Sequence, residues 1–279
     1  MRSSSPSRSI VVAMVVIGFV TFLSATHSWG GYHWARTQNP FTLKTGNNVT
    51  SDWAPYLDEM ILQWSLSSVL DLTKVAGGTT GIKCRPTAGR IEVCSAKYGN
   101  NGWLGLAQIW LNGLHITQAT AKMNDTYFST RTYNTQWWRR LVMCQEIAHD
   151  FGLDHQDENF SNKNLGTCMD YTRNPLGPPS NEYPNRHDFE ELVTIYTHLD
   201  STTTVGNSRL PSSMPPAMGD IDFETPAQWG KIKRSSPDGR VQDYELDFGG
   251  GHQVITHVVW ADPDGDEKDG KGKDDKGKR

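Results

Sequence analysis

The chain has 279 residues, of which 36% are hydrophobic and 21% charged, enough for one medium domain with appendages or for two small domains. Its formal charge of −4 gives no reason to expect a nucleic-acid partner. Ten Trp residues argue for a packed body rather than a largely disordered chain.

In chain order, Arg2 and Arg8 precede an uncharged run from Ile10 to Leu23, and small residues follow at Ser24, Ala25, Thr26 and Ser28. This is the pattern of a signal peptide over residues 1–28, cleaved near Ala25 or Ser28. The apolar run is shorter than the ~20 residues a membrane span needs; an uncleaved anchor is the alternative. The mature protein is therefore expected outside the cell, without stable membrane association. In such a compartment Cys84, Cys94, Cys144 and Cys168 allow three disulfide pairings. Cys84–Cys94 and Cys144–Cys168 are favoured, and buried thiols are the alternative.

Residues 29–50 read as a lead-in segment with little periodicity. A helix is expected from Ser51 or Asp52, either of which can cap it. Pro55 falls in its first turn, and Trp53, Leu57, Met60 and Trp64 form its apolar stripe. Strand-like runs follow at Ser68–Ala76, Arg90–Tyr98, Leu104–Leu111 and Leu114–Ala121, the last two joined by the hairpin signal Asn112-Gly113. A second helix fits Thr135 to Phe151, with Trp137, Leu141, Cys144, Ala148 and Phe151 as its buried stripe and Gly152 ending it. A loop rich in Asn, Gly and Pro spans 156–184, and a third helix fits Asn185–Leu199, with Phe189, Leu192, Ile195 and Leu199 on one face. Residues 201–219 read as a linker, 220–261 as a small C-terminal extension with no clear core of its own, and 262–279 as a charged disordered tail.

The chemistry concentrates in Gln145–His155, which reads QEIAHDFGLDH. Glu146, His149, Gly152 and His155 form E-x-x-H-x-x-G-x-x-H, a combination that average residue usage produces in on the order of one chain in a thousand of this length. Positions 145 and 149 are one helical turn apart, so their side chains point the same way, on a stripe with Trp138, Val142 and Gly152 beside the core stripe. Gly152 lets the chain reverse, and His155 can return to the same point. Glu146 sits next to that stripe.

Together with Thr167-Cys168-Met169-Asp170-Tyr171, this resembles the metzincin zinc peptidases, whose pattern is H-E-x-x-H-x-x-G-x-x-H followed by a Met-containing turn. The resemblance covers roughly residues 50–200 and is nearest the matrixin and adamalysin branches. It implies an α+β fold over residues 51–200: a small, mostly parallel twisted sheet with an antiparallel edge strand, an active-site helix, a Met-turn and a C-terminal helix. It implies Zn2+ as cofactor, Glu146 as general base to a metal-activated water, His149, His155 and Gln145 at the ligand positions, and Gly152, Met169 and Tyr171 as structural residues of the site.

Gln145 departs from the family, which has His there. Three readings are open: the Gln145 amide oxygen is a weak ligand; water or a carboxylate such as Asp157 completes the shell; or the domain is an inactive binding protein. The first two make the chain a secreted zinc-dependent metalloendopeptidase. The third makes it a metzincin-fold pseudoenzyme.

A protein or peptide substrate would bind as an extended strand, with Leu104–Leu111 or its hairpin partner offering a sheet edge and Thr172–Pro184 placed at the specificity pocket. The chain is expected to act as a monomer. Residues 24–83 contain no cysteine, so latency through a thiolate on zinc is not expected. A Cys144–Cys168 bridge would tie the active-site helix to the Met-turn. His115, His187 and His198 read as ordinary helix or strand residues rather than ligands, and Asp150 and Asp154 as facing solvent or capping backbone.

Overall fold

The fold is taken from a computed structural model, which describes residues 27–220 and 223–262. The signal-peptide run Ile10–Leu23 and the tail beyond Asp262 lie outside the described residues.

The first helix, α1, spans Ala54–Trp64, and its stripe of Trp53, Leu57, Met60 and Trp64 is fully buried. Its start differs from expectation. Trp53 is the N-cap residue, and neither Ser51 nor Asp52 caps the helix. The Thr50 carbonyl accepts from the N–H groups of Trp53 and Ala54, and Pro55 has no N–H to satisfy, so the entering turn does what a capping side chain would do.

Nine strands among the described residues form one sheet. They are β1 (His33–Trp34), β2 (Phe41–Asn48), β3 (Leu70–Ala76), β4 (Ile91–Ala96), β5 (Trp103–Asn112), β6 (His115–Asn124), β7 (Lys231–Ser235), β8 (Val241–Asp247) and β9 (His252–Trp260). The order is β3-β2-β4-β6-β5-β9-β8-β7, with the short β1 pairing parallel to the start of β6. From β3 to β6 neighbours are parallel; from β6 through β5, β9 and β8 to β7 they are antiparallel.

The α+β class holds, but the sheet departs from expectation in two places. The lead-in contributes β2, an interior strand between β3 and β4; its alternation of buried Phe41, Leu43 and Thr45 with exposed Thr42 and Lys44 is too short to stand out. The C-terminal extension contributes β7, β8 and β9, so β5 is not an edge strand. It pairs with β6 on one side and with β9 on the other, from Trp103↔Trp260 to Asn112↔His252. The sheet is thus large and half antiparallel.

The extension also has its apolar layer. On one face of β5 and β9, Leu106, Trp110, Val254 and Val258 pack with Met218, Phe223, Trp229 and Tyr244. The opposite face meets the helices, and there Ile109, Leu111, Ile255 and Val259 join the main core. The β5–β6 hairpin turns on Gly113-Leu114, where Gly113 takes the left-handed φ of 63°.

Helix α2 covers Gln136–His149; the Thr135 hydroxyl accepts from the Trp138 N–H, and every residue from Leu141 to His149 is buried. Helix α3 covers Arg186–Ile195 behind a capping box of Asn185 and Asp188. It ends before Leu199, which is exposed, because the chain turns to meet the lead-in: Asn39 donates to the Tyr196 carbonyl and Asp200 N–H to the Arg36 carbonyl. Both favoured disulfides are formed, Cys84–Cys94 and Cys144–Cys168. No helix among the described residues is long and apolar enough to cross a membrane.

Candidate metal centre

The last turn of α2 carries Glu146 and His149 into the interior. His149 Nδ1 lies 2.8 Å from the Leu153 carbonyl. A carbonyl only accepts, so Nδ1 carries the proton and Nε2 presents a lone pair. That Nε2 is buried without a hydrogen-bond partner among the described residues.

The chain then reverses at Gly152, with φ at 96° and the Tyr32 carbonyl oxygen 2.1 Å from where a Cβ would stand. Only glycine fits both demands. The buried carbonyls just past the end of α2 are taken up by the Trp34 indole, which donates to Asp150, and by the Tyr196 hydroxyl, which donates to Phe151. The reversal returns His155 beside His149, ring centroids 4.6 Å apart. His155 Nδ1 faces the Asp154 and Glu158 carboxylates at 3.2 and 3.6 Å. The Tyr171 hydroxyl lies 2.7 Å from His155 Nε2 and 3.0 Å from His257 Nε2, bridging the two rings.

His257 is the residue that sequence reasoning missed. Strand alternation on β9 puts Ile255, His257 and Val259 on the α2 side and Val254 and Val258 on the other. The His257 ring stands 4.0 Å from His149 and 4.8 Å from His155, and the three residues offer ligand atoms within 4.8 Å of one another. His257 Nδ1 has no hydrogen-bond partner among the described residues and faces Glu146 Oε2 at 3.5 Å. The available signal was a histidine flanked at i±2 by Ile255 and Val259, in a segment apolar on both faces. Nothing in the sequence says that this run lies against β5.

Electrostatics suit a cation. Burial pulls His149 well below the ordinary histidine pKa, and the neighbouring His155 adds to this; burial does the same to His257, with His149 and His155 adding. At His155 burial also pulls downward, but Asp154 and Glu158 outweigh it and the pKa is raised. Burial lifts Glu146 well above the carboxylate range, and neither of its oxygens has a hydrogen-bond partner among the described residues. β5 makes room for this carboxylate with Gly105, where a Cβ would fall 2.3 Å from Glu146 Oε1. Two buried imidazole nitrogens without hydrogen-bond partners among the described residues, His149 Nε2 and His257 Nδ1, with His155 beside them, are a donor set that zinc takes, and Leu153, Asp154 and Glu158 are the outer partners that orient the rings.

The other candidate residues are placed as follows. Gln145 is buried, and its Nε2 donates to the Cys168 carbonyl at 2.9 Å, next to the Cys144–Cys168 bridge. Met169 is fully buried; its N–H donates to the Thr167 hydroxyl and its carbonyl accepts from Gln156. The Asp157 carboxylate is used locally, by the Asn159 N–H and the Asn162 amide.

Asp150 does not face solvent, whereas Asp154 is partly exposed. Asp150 is fully buried at the end of α2, and burial raises its pKa well above the usual range. Asp154 caps the His155 N–H, as expected of a backbone cap, and also binds Arg234. Arg234 on β7 reaches Glu158 and Asp243 as well, so one guanidinium clamps the loop after α2 to the C-terminal strands.

The edge expected to receive substrate is occupied, since β9 lies along β5 and carries His257 into the centre.

No family model matches the chain, and no curated protein matches it. Among solved structures the chain is similar to myroilysin, at 13% identity over 61% of this chain and 98% of that one, with a TM-score of 0.36. It is also similar to high choriolytic enzyme 1, a hatching enzyme zinc-protease from Oryzias latipes (medaka fish), at 9% identity over 59% of this chain and 94% of that one, with a TM-score of 0.35. Likenesses this slight carry no functional argument; the chemistry rests on the side chains of the centre.

Proposed function

We propose that the chain is a secreted, zinc-dependent metallopeptidase in which His149, His155 and His257 hold the ion and Glu146 is the general base. The observation that carries this reading is the convergence of three buried imidazoles, one of which, His257, faces the buried Glu146 carboxylate at 3.5 Å. Zinc, when bound, supplies a Lewis acid that polarises a carbonyl and brings the pKa of water toward neutrality. Glu146 takes the proton from the attacking water and returns it to the departing amine. Asp154 and Glu158 fix the tautomer and orientation of His155 through Nδ1, which leaves Nε2 as the nitrogen for the ion in place of its contact with the Tyr171 hydroxyl. Gln145 joins α2 to the turn containing Met169 through Cys168. The metzincin resemblance of Glu146, His149, Gly152, His155 and Met169 supports the same chemistry, and the two disulfides support an extracellular setting.

One observation favours a second reading, a zinc-binding secreted protein without catalysis. β9 fills the side of β5 on which an extended peptide would pair. The readings separate with purified full chain, zinc analysis, and casein or peptide hydrolysis with and without chelator. Chelator-sensitive hydrolysis that disappears in Glu146→Ala is the expected result. Stoichiometric zinc without hydrolysis selects the second reading, and a chain that takes up no zinc at micromolar supply removes both.

A further inference from the structure

A second cluster of imidazoles lies where the lead-in meets the end of α3. His33 Nε2 and His198 Nε2 are 3.1 Å apart, and Asp200 Oδ1 lies 3.5 Å from the first and 3.7 Å from the second. His115 Nε2, from the start of β6, adds a contact of 3.2 Å to the same Asp200 Oδ1. Four zinc ligands at about 2.0–2.1 Å in a tetrahedron stand roughly 3.3–3.4 Å from one another. The His33, His198 and Asp200 atoms already form one triangular face of nearly that size.

The outer partners favour the same use. His33 is buried, and its Nδ1 lies 2.8 Å from the Gly31 carbonyl, which fixes the proton on Nδ1 and leaves the Nε2 lone pair toward the cluster. Asp200 Oδ2 is held by the Arg36 guanidinium at 2.9 Å and the Arg36 N–H at 3.1 Å, which orients the carboxylate so that Oδ1 faces the imidazoles. His198 is half exposed at the mouth, giving an ion a path in.

We infer that His33, His198 and Asp200 form a second divalent-metal site, with His115 beside the carboxylate, and that its ion is zinc. Imidazoles with a single carboxylate suit zinc better than calcium or magnesium, which prefer all-oxygen shells. The site is separate from the His149 centre and would staple β1 and the start of β6 to the chain leaving α3, where Asp200 and Arg36 already meet.

The test uses the full chain, parent and His198→Ala, loaded with zinc alone, dialysed and counted by native mass spectrometry, with thermal unfolding followed with and without zinc. Because His198 is an exposed surface residue, the variant should fold, and circular dichroism checks this. His198→Ala is expected to hold one ion fewer than the parent and to lose part of the zinc-dependent rise in melting temperature. The loss of one ion is read whether the parent holds two or one, so the outcome does not depend on the first centre. An unchanged ion count together with an unchanged zinc response of the melting temperature would overturn the inference and leave the cluster as a hydrogen-bonded group, His198 donating to His33 and His115 to Asp200.

Discussion

Gln145 occupies the position where the resembled family has a histidine, and His257 is the third imidazole of the proposed centre. The Gln145 amide is spent on the Cys168 carbonyl, while His257 stands beside His149 and His155. Two substitutions should therefore separate. His257→Ala is expected to weaken zinc binding by more than about a hundredfold, since even outer partners of ligands are worth roughly 10–100-fold. Gln145→Ala leaves a buried carbonyl without its donor and should cost about 1–3 kcal/mol of stability while changing zinc affinity far less. Competitive zinc titration and denaturant unfolding of both variants check this; equal losses of zinc affinity would mean that residue 145 is itself a ligand. Gly152 is the other sensitive residue. With φ at 96° and the Tyr32 carbonyl 2.1 Å from a Cβ position, Gly152→Ala should lose about 3 kcal/mol or more and misplace His155. The need for glycine there was legible in the motif, but the identity of the obstructing group was not, because Tyr32 arrives from the lead-in.

Among the elements, α2 matters most, because it delivers Glu146 and His149 from a stretch, Leu141–His149, that is buried on all sides. The Cys144–Cys168 bridge and the Gln145 amide both fasten it to the turn that follows. A bridge spanning 24 residues of separation should contribute about 3–4 kcal/mol through loop-closure entropy. Replacing Cys144 and Cys168 together by Ala is expected to lower stability by that order, read as a reduced denaturant midpoint, whereas loss of the shorter Cys84–Cys94 loop should cost less. Helices α1 and α2 were legible from their apolar stripes, which are long enough to show a period of 3.6. β1 and β2 were not, since a two-residue strand has no period and an eight-residue strand carrying Asn and Gly at its end resembles a loop.

For the whole molecule, β9 bears on both the sheet edge and the candidate centre. It covers one side of β5, and it also carries His257. Val254 and Val258 anchor it on the face opposite the centre. Val254→Ala with Val258→Ala removes buried methyl groups and should weaken this anchoring by roughly 1–2 kcal/mol per site. If β9 limits access, the variant should cleave peptides faster while binding zinc less tightly, measured as initial rates and zinc titration on the same preparation; a slower rate with unchanged zinc affinity would argue against that coupling. By itself the sequence determined what depends on neighbours in the chain: the α2 stripe, the turn at Gly152, the β5–β6 hairpin, and the spacing of Glu146, His149 and His155 around one helical end. The tertiary structure alone decided the partner of β5, the third imidazole and the meeting of His33 with His198 and Asp200. Each of these joins residues more than a hundred positions apart, and no local periodicity encodes which distant strand or turn will close that gap.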